Sequence, residues 1–249
     1  MINRNKKKLK VLVLIPSRLE SLRLPRKPLR KIFGIPMIVR VANRAKAMNI
    51  GEVIVASGNK SICKILRENS IECFLTSENH KSGTDRIYEV FKKNFKKNID
   101  VILNIQGDLP YFRSELIYET IDLMNDKTID IGSAVCDLKE EEILDKNIVK
   151  AYVELDKKNH GIAIDFVREI KEKKNYYHHI GIYAYRPDTI KKFIKLKQTQ
   201  IEKKRRLEQM RALENGMRIK VVKVRENPPS IDTFDDLKKI RLFFKQNNV

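Results

Sequence analysis

The sequence predicts an α/β fold with a mainly parallel sheet, and three observations carry that reading. Short apolar runs alternate with segments of helical period through the first half of the chain. Those runs show no polar alternation, as expected of strands covered on both faces. Of 249 residues 42% are hydrophobic and 34% charged, which is the profile of a chain able to bury a core.

The elements follow in order. VLVLI (11–15) reads as a buried strand, and Pro36 opens a helix with Ile38, Val41, Ala42 and Ala45 on one face. EVIVAS (52–57) is the next strand, with a helix over 62–66 behind it. Ser82 with Asp85 three residues later is a helix-start pattern, ahead of Ile87, Val90, Phe91 and Phe95 at helical spacing. VILNI (101–105) is another buried strand, and helical spacing resumes after Pro110. Further on, KAYVEL, HGIAIDFV and HHIGIYAYR predict strands that are antiparallel in part. A long polar helix is expected from about 201 to 215, closed by Gly216. KVVKV supplies a last strand, and a last helix follows Thr233. No repeat or linker marks a boundary, so 1–249 reads as one domain.

Composition removes several function classes. The net charge of +20 would attract nucleic acid, but the lysines are spread evenly among Asn and Ile, as an A/T-rich codon bias produces. Clustered basic residues with interleaved aromatics are lacking, so a basic nucleic-acid-binding protein is the distant alternative. No apolar run approaches the roughly 20 residues of a membrane span, and MINRNKKKLK lacks the apolar stretch of a signal peptide. The cytoplasm is the expected compartment. Cys63, Cys73 and Cys136 have no metal-ligand spacing and are odd in number, so they are expected to be reduced packing residues. His80, His160, His178 and His179 form no zinc pattern.

In an open parallel sheet, ligands bind at the carboxyl ends of the strands. Three segments fall there. The loop PSRLESLRLPRKPL places Arg18, Arg23, Arg26 and Lys27 around Ser21, and Pro25 and Pro28 stiffen it. Guanidinium forks, a lysine charge and backbone amides are what a phosphate needs, although a solvated basic turn has the same composition. Asp108 in Gln106-Gly107-Asp108 directly follows VILNI, well placed to hold Mg²⁺ against phosphate oxygens, or else it is a strand-end turn. Asp232 precedes Thr233 and Asp236, a helix-start pair, so it is either turn chemistry or a second carboxylate on the same metal. Together the three segments are far more specific than any one of them.

The blocks IPSRLESLRLPRKPL, SENHKSGTDRI, NIQGDLP, HHIGIYAYR, RRLEQMRALENGMRI and IDTFDDL occur in this order over nearly the whole chain. With them the sequence resembles the cytidylyltransferases that activate 3-deoxy-manno-octulosonate (Kdo). The resemblance implies a Rossmann-like three-layer fold of the nucleotide-diphospho-sugar transferase kind. Its irregular antiparallel region, about 150–215, would bind the sugar and form a homodimer. It implies Mg²⁺-dependent transfer of CMP from CTP to Kdo, with pyrophosphate released, for lipopolysaccharide or capsule synthesis. By the family pattern Arg18, Ser21, Arg23, Lys27 and Ser82 hold the nucleotide, and Arg18, Lys27 and Asp108 are catalytic. By the same pattern Asp108 and Asp232 would bind the metal, and Gln106, Arg168, His179, Tyr183, Glu208 and Gln209 would line the sugar pocket. The chain departs from the pattern at Arg26, Leu109, Ser57-Gly58-Asn59 and Val167. These leave an 8-amino-Kdo or another acidic keto-sugar as alternative substrates.

Overall fold

The computed structural model describes residues 9–95 and 98–247; the basic N-terminal stretch read above lies, up to residue 8, outside them. The chain begins with β1 (Val11–Ser17), a short hairpin β2 (Lys31–Ile32) and β3 (Ile35–Pro36), then α1 (Met37–Ala47), β4 (Gly51–Ser57) and α2 (Lys60–Glu68). It continues with β5 (Glu72–Leu75), α3 (Gly83–Asn94), β6 (Val101–Asn104), α4 (Ser114–Asp122), β7 (Ile131–Cys136), β8 (Lys150–Val153) and β9 (His160–Val167). Next come β10 (Tyr176–Tyr185), α5 (Pro187–Lys195), α6 (Gln200–Arg205), α7 (Gln209–Glu214), β11 (Ile219–Lys223) and α8 (Phe234–Asn247). No described helix is long and apolar enough to cross a membrane.

The described residues part into two compact units: a discontinuous one, Lys10–Arg113 with Pro228–Val249, and an inserted one built on Ser114–Asn227. The discontinuous unit holds four parallel strands in the order β5-β4-β1-β6. Leu12, Val13, Leu14 and Ile15 of β1 are all fully buried, so both faces of this strand are covered, as its unbroken apolar run requires. The expected helix starts form. The Ser82 hydroxyl accepts the Asp85 N–H at 3.1 Å, and the Thr233 hydroxyl accepts that of Asp236 at 3.2 Å.

One expectation is overturned in this unit. Cys63 of α2 and Cys73 of β5 form a disulfide, with an S–S distance of 2.17 Å. The helix lies against that strand and brings the two Cα atoms to 5.2 Å, within the reach of the bond. An odd cysteine count says only that one thiol is left over. That thiol is Cys136, which is buried and pushed up to about 12 by its burial.

In the inserted unit five strands pair in a ring. β7 pairs β10, β10 pairs β8, β8 pairs β9, β9 pairs β11, and β11 returns to β7. All these pairings are antiparallel except β11 with β7. The long helix expected over 201–215 is broken. α6 stops where Arg206 takes a left-handed conformation (φ 55°), and α7 begins at Gln209. Nothing local signals this break, because the segment contains neither Gly nor Pro. Tertiary contacts supply it: Leu207 is buried, and the carbonyls of Arg205 and Arg206 are taken by Arg168. A bidentate ion pair, Arg211 to Glu202 at 2.8 and 2.5 Å, then ties α7 to α6.

Candidate active site

The carboxyl ends of β1 and β6 open on a cavity of about 990 Å³ lined entirely by the discontinuous unit. The loop after β1 enters it with Arg18, Ser21, Arg23 and Lys27, and turns at Arg26 in a left-handed conformation (φ 56°). After β6 the chain passes through Gly107, where an added Cβ would lie 2.8 Å from the Pro16 carbonyl oxygen. Only glycine lets the two strand ends approach this closely. The next residue, Asp108, is held from behind by the Ile231 N–H, which donates to its carbonyl at 3.1 Å.

Asp108 and Asp232 meet at one point. The Lys27 ammonium donates to Asp108 Oδ2 at 2.8 Å and to Asp232 Oδ1 at 3.0 Å. Arg23 takes the other oxygen of Asp232 at 3.0 Å. Burial works to lower the Lys27 pKa, but the two carboxylates overcome it and hold the ammonium above its ordinary value of 10.5. Asp232 is set in place by Asp236, whose carboxylate accepts the N–H groups of Asp232 and Thr233 at 3.0 and 2.9 Å.

This donor set fits Mg²⁺. The ion favours hard oxygen ligands and is usually held by one or two carboxylates, with phosphate and water completing the shell. Two carboxylates converge here, and among the described residues no group of three or more His, Cys, Asp or Glu gathers to form an all-protein cage. The buried Ser17 hydroxyl, which also lines the cavity, has no partner among the described residues.

Ser82 lines the same cavity, so Arg18, Ser21, Arg23, Lys27 and Ser82, expected at the nucleotide, are together there, and Gln106, expected at the sugar, lines it too. Arg86 lines it too and escaped the sequence reading, although it closes the SGTDR block that the reading used. It is buried, donates to Thr76 Oγ1 at 2.6 Å and to the Ser77 carbonyl at 3.1 Å, and burial lowers its pKa. A Cβ at Gly58 would stand 2.8 Å from its Nη1, so the departure at Gly58 leaves room for this guanidinium. His80, also at the cavity, pairs with Glu89 of α3. Burial would raise the Glu89 carboxyl, but hydrogen bonds from Lys93, His80 and the Ser77 N–H bring it to about 2.

The remaining expected sugar residues belong to the inserted unit. His179 and Tyr183 of β10 have ring centroids 5.5 Å apart, and His179 also meets Phe166 edge-on at 4.9 Å. The His179 Nε2 lies 3.0 Å from the Ser133 hydroxyl, which donates to the carbonyls of β10. Burial, with the neighbouring His178, lowers His179 to about 3, so its ring is neutral. Burial and then the charge of Glu208 push the Tyr183 phenol above its usual range. Glu208 stands at the start of α7, with its Oε1 3.7 Å from Arg211, and Gln209 beside it is buried. Arg168 faces backbone instead. Its guanidinium donates to the carbonyls of Lys146 at 3.0 Å, Asn147 at 3.2 Å, Arg205 at 3.3 Å and Arg206 at 3.5 Å.

Comparison with known proteins identifies the family. A family model described as cytidylyltransferase matches residues 12–219. The 3-deoxy-manno-octulosonate cytidylyltransferase of Bartonella henselae is 40% identical over 237 residues, which cover 94% of this chain and 98% of that protein. The protein of the same name from Brucella canis is also 40% identical, over 96% of this chain and 97% of its own length. Among solved structures, CMP:2-keto-3-deoxy-manno-octonic acid synthetase complexed with CTP superposes with a TM-score of 0.86 at 31% identity, covering 96% of this chain and 99% of that one. With cations and paired carboxylates gathered at its strand ends and relatives matching over nearly its full length, the chain belongs to the cytidylyltransferase family, among the 3-deoxy-manno-octulosonate cytidylyltransferases.

Proposed function

We propose that this enzyme transfers CMP from CTP to the anomeric hydroxyl of Kdo, releasing pyrophosphate, as its relatives are named for doing. The observation that carries the reading is the meeting of Asp108, Asp232 and Lys27 in the wall of a cavity also lined by Arg18 and Arg23. Two anions must be brought together here, and positioning with charge neutralisation accounts for most of such catalysis. Arg18, Arg23 and Lys27 take the triphosphate oxygens, and the N-terminus of α3 at Ser82 adds backbone N–H donors. Asp108 and Asp232 would hold Mg²⁺, which supplies charge neutralisation at the phosphate oxygens. The sugar hydroxyl gives its proton to water as its oxygen bonds to the α-phosphorus, the bond to the β-phosphate oxygen breaks, and pyrophosphate leaves, so no covalent enzyme intermediate is needed.

The neutral His179, the Tyr183 phenol, Glu208 and Gln209 of the inserted unit are the side chains we assign to the sugar hydroxyls. The Arg168 guanidinium is occupied by carbonyls, so its part in sugar binding is to hold the turn before Glu208. The finer reading is a Rossmann-like three-layer enzyme of the cytoplasm, a homodimer through the region 150–215, serving lipopolysaccharide or capsule synthesis. A product assay with CTP, Mg²⁺ and a panel of acidic sugars tests it. Kdo or its 8-amino variant should be used in strong preference to sialic acid. Equal or better use of sialic acid would sink the assignment of the sugar residues.

A further inference from the structure

Lys27 is expected to serve a phosphate, yet its ammonium faces two acids. Its ammonium touches one oxygen of each carboxylate, at 2.8 and 3.0 Å, and its side chain is only 16% exposed. By contrast Arg23, on the same loop, is 53% exposed. Lys27 is therefore seated rather than dangling, at the one point where Asp108 and Asp232 converge. The two carboxylates share one cation, the Lys27 ammonium. A divalent ion held by the same pair would need the same point, and two cations cannot share it. A lysine is a compact charge on a flexible stem with rotatable bonds, so it can leave that point without moving the backbone. A triphosphate arriving in the same cavity offers it several anionic oxygens in exchange.

We infer that Lys27 is an internal stand-in for the divalent ion: it occupies the metal position until a triphosphate draws it away, so the carboxylates accept the ion only together with nucleotide. This rests on the reading above that Asp108 and Asp232 are the metal ligands. The arrangement keeps the acids from repelling an incoming triphosphate, because they never face it uncompensated. It also makes nucleotide and metal interdependent, with Lys27 as the coupling element.

The test is Mn²⁺ binding to nucleotide-free protein, read from the electron paramagnetic resonance signal of free Mn²⁺. Wild type should bind the ion weakly, and Lys27→Met should bind it roughly tenfold more tightly or better, since two charge-assisted contacts no longer compete. Adding Asp108→Asn to Lys27→Met should abolish that gain. A Lys27→Met protein that melts like wild type and binds Mn²⁺ no more tightly overturns the proposal. If the gain survives Asp108→Asn, the assignment of the metal ligands fails and the proposal with it. If Lys27→Met brings no gain while Asp108→Asn weakens the wild-type affinity, the ligands stand and only the role of Lys27 falls. A crystal of wild type soaked in Mn²⁺ without nucleotide avoids any doubt over the variant's folding. It should show Lys27 between the carboxylates and no manganese peak, and a manganese peak on Asp108 and Asp232 would overturn the inference.

Discussion

Polar side chains crowd both units, but in opposite states. In the discontinuous unit Lys27, Arg23, Asp108 and Asp232 at the cavity are charged, partly solvated and matched against one another. In the inserted unit His179 and Tyr183 are withdrawn from water and held in their neutral forms. A deeply buried ion pair there, Arg211 with Glu202, joins two helices. Charges in partial contact with water can change partners at little cost, which suits the proposed exchange of a lysine for a metal and the proposed entry of phosphates. Neutral groups fixed by packing cannot, and they suit recognition of hydroxyls, where a missing hydrogen bond leaves a buried group unpaired.

Substitutions should separate the two regions. Asp108→Ala should lower kcat/KM by roughly a thousandfold while leaving the melting temperature close to wild type, because it removes charge where the reaction develops it and touches little of the core. Near-normal turnover in Mg²⁺ would end the metal assignment. Arg211→Met should do the reverse and destabilise the protein by about 3 kcal/mol, since it leaves the buried Glu202 carboxylate without its main cation. Urea unfolding measures this. A change below about 1 kcal/mol would mean that the pair is screened like a surface ion pair.

Smaller effects sharpen the contrast. Tyr183→Phe should raise KM for the sugar by roughly tenfold, one lost hydrogen bond, with KM for CTP unchanged. If both constants rise together, the two sets of residues are not the separate recognition elements assigned above. The smallest effect is in the pH dependence of stability. His179 has an ordinary pKa of 6.5 and is held at about 3 in the folded protein. Between those values the unfolded chain binds a proton that the folded one refuses, so stability falls as pH falls through this window. His179→Gln should lose less stability than wild type between pH 7 and pH 5. Lys27, raised from 10.5, stays charged throughout that range and contributes nothing to the slope. Melting curves of both proteins across the range decide the point, and parallel losses would show that His179 is protonated in the folded state.

Much of the discontinuous unit was legible in the chain. Its strands are unbroken apolar runs buried on both faces, and its helix starts carry Ser82 with Asp85 and Thr233 with Asp236, which signal through contacts three residues apart. That the basic loop and Asp108 line one cavity was legible for a related reason. Strand ends can be located from periodicity, and a parallel sheet puts consecutive strand ends on one edge. The inserted unit was harder to read. Residues 201–215 have helical character throughout, and the break at Arg206 follows from Arg168, 38 residues earlier. Arg86 was overlooked because a charged residue inside a helix normally faces water, whereas here Thr76 and Ser77 draw it inward.

The sequence by itself determined the alternation of strands and helices, the basic loop after the first strand, and the family pattern that pairs Asp108 with Asp232. Such features depend on local periodicity and on residue chemistry, which a linear string carries in full. Only the tertiary structure decided that Lys27 faces those acids, that Cys63 and Cys73 are bonded, and that Arg168 holds carbonyls. Each of these is a distance between side chains set by packing: 81 and 205 residues of chain separate Lys27 from its two partners. Rotamers and long-range approach are fixed by the volume that neighbours leave free, and no spacing rule along the chain encodes that volume.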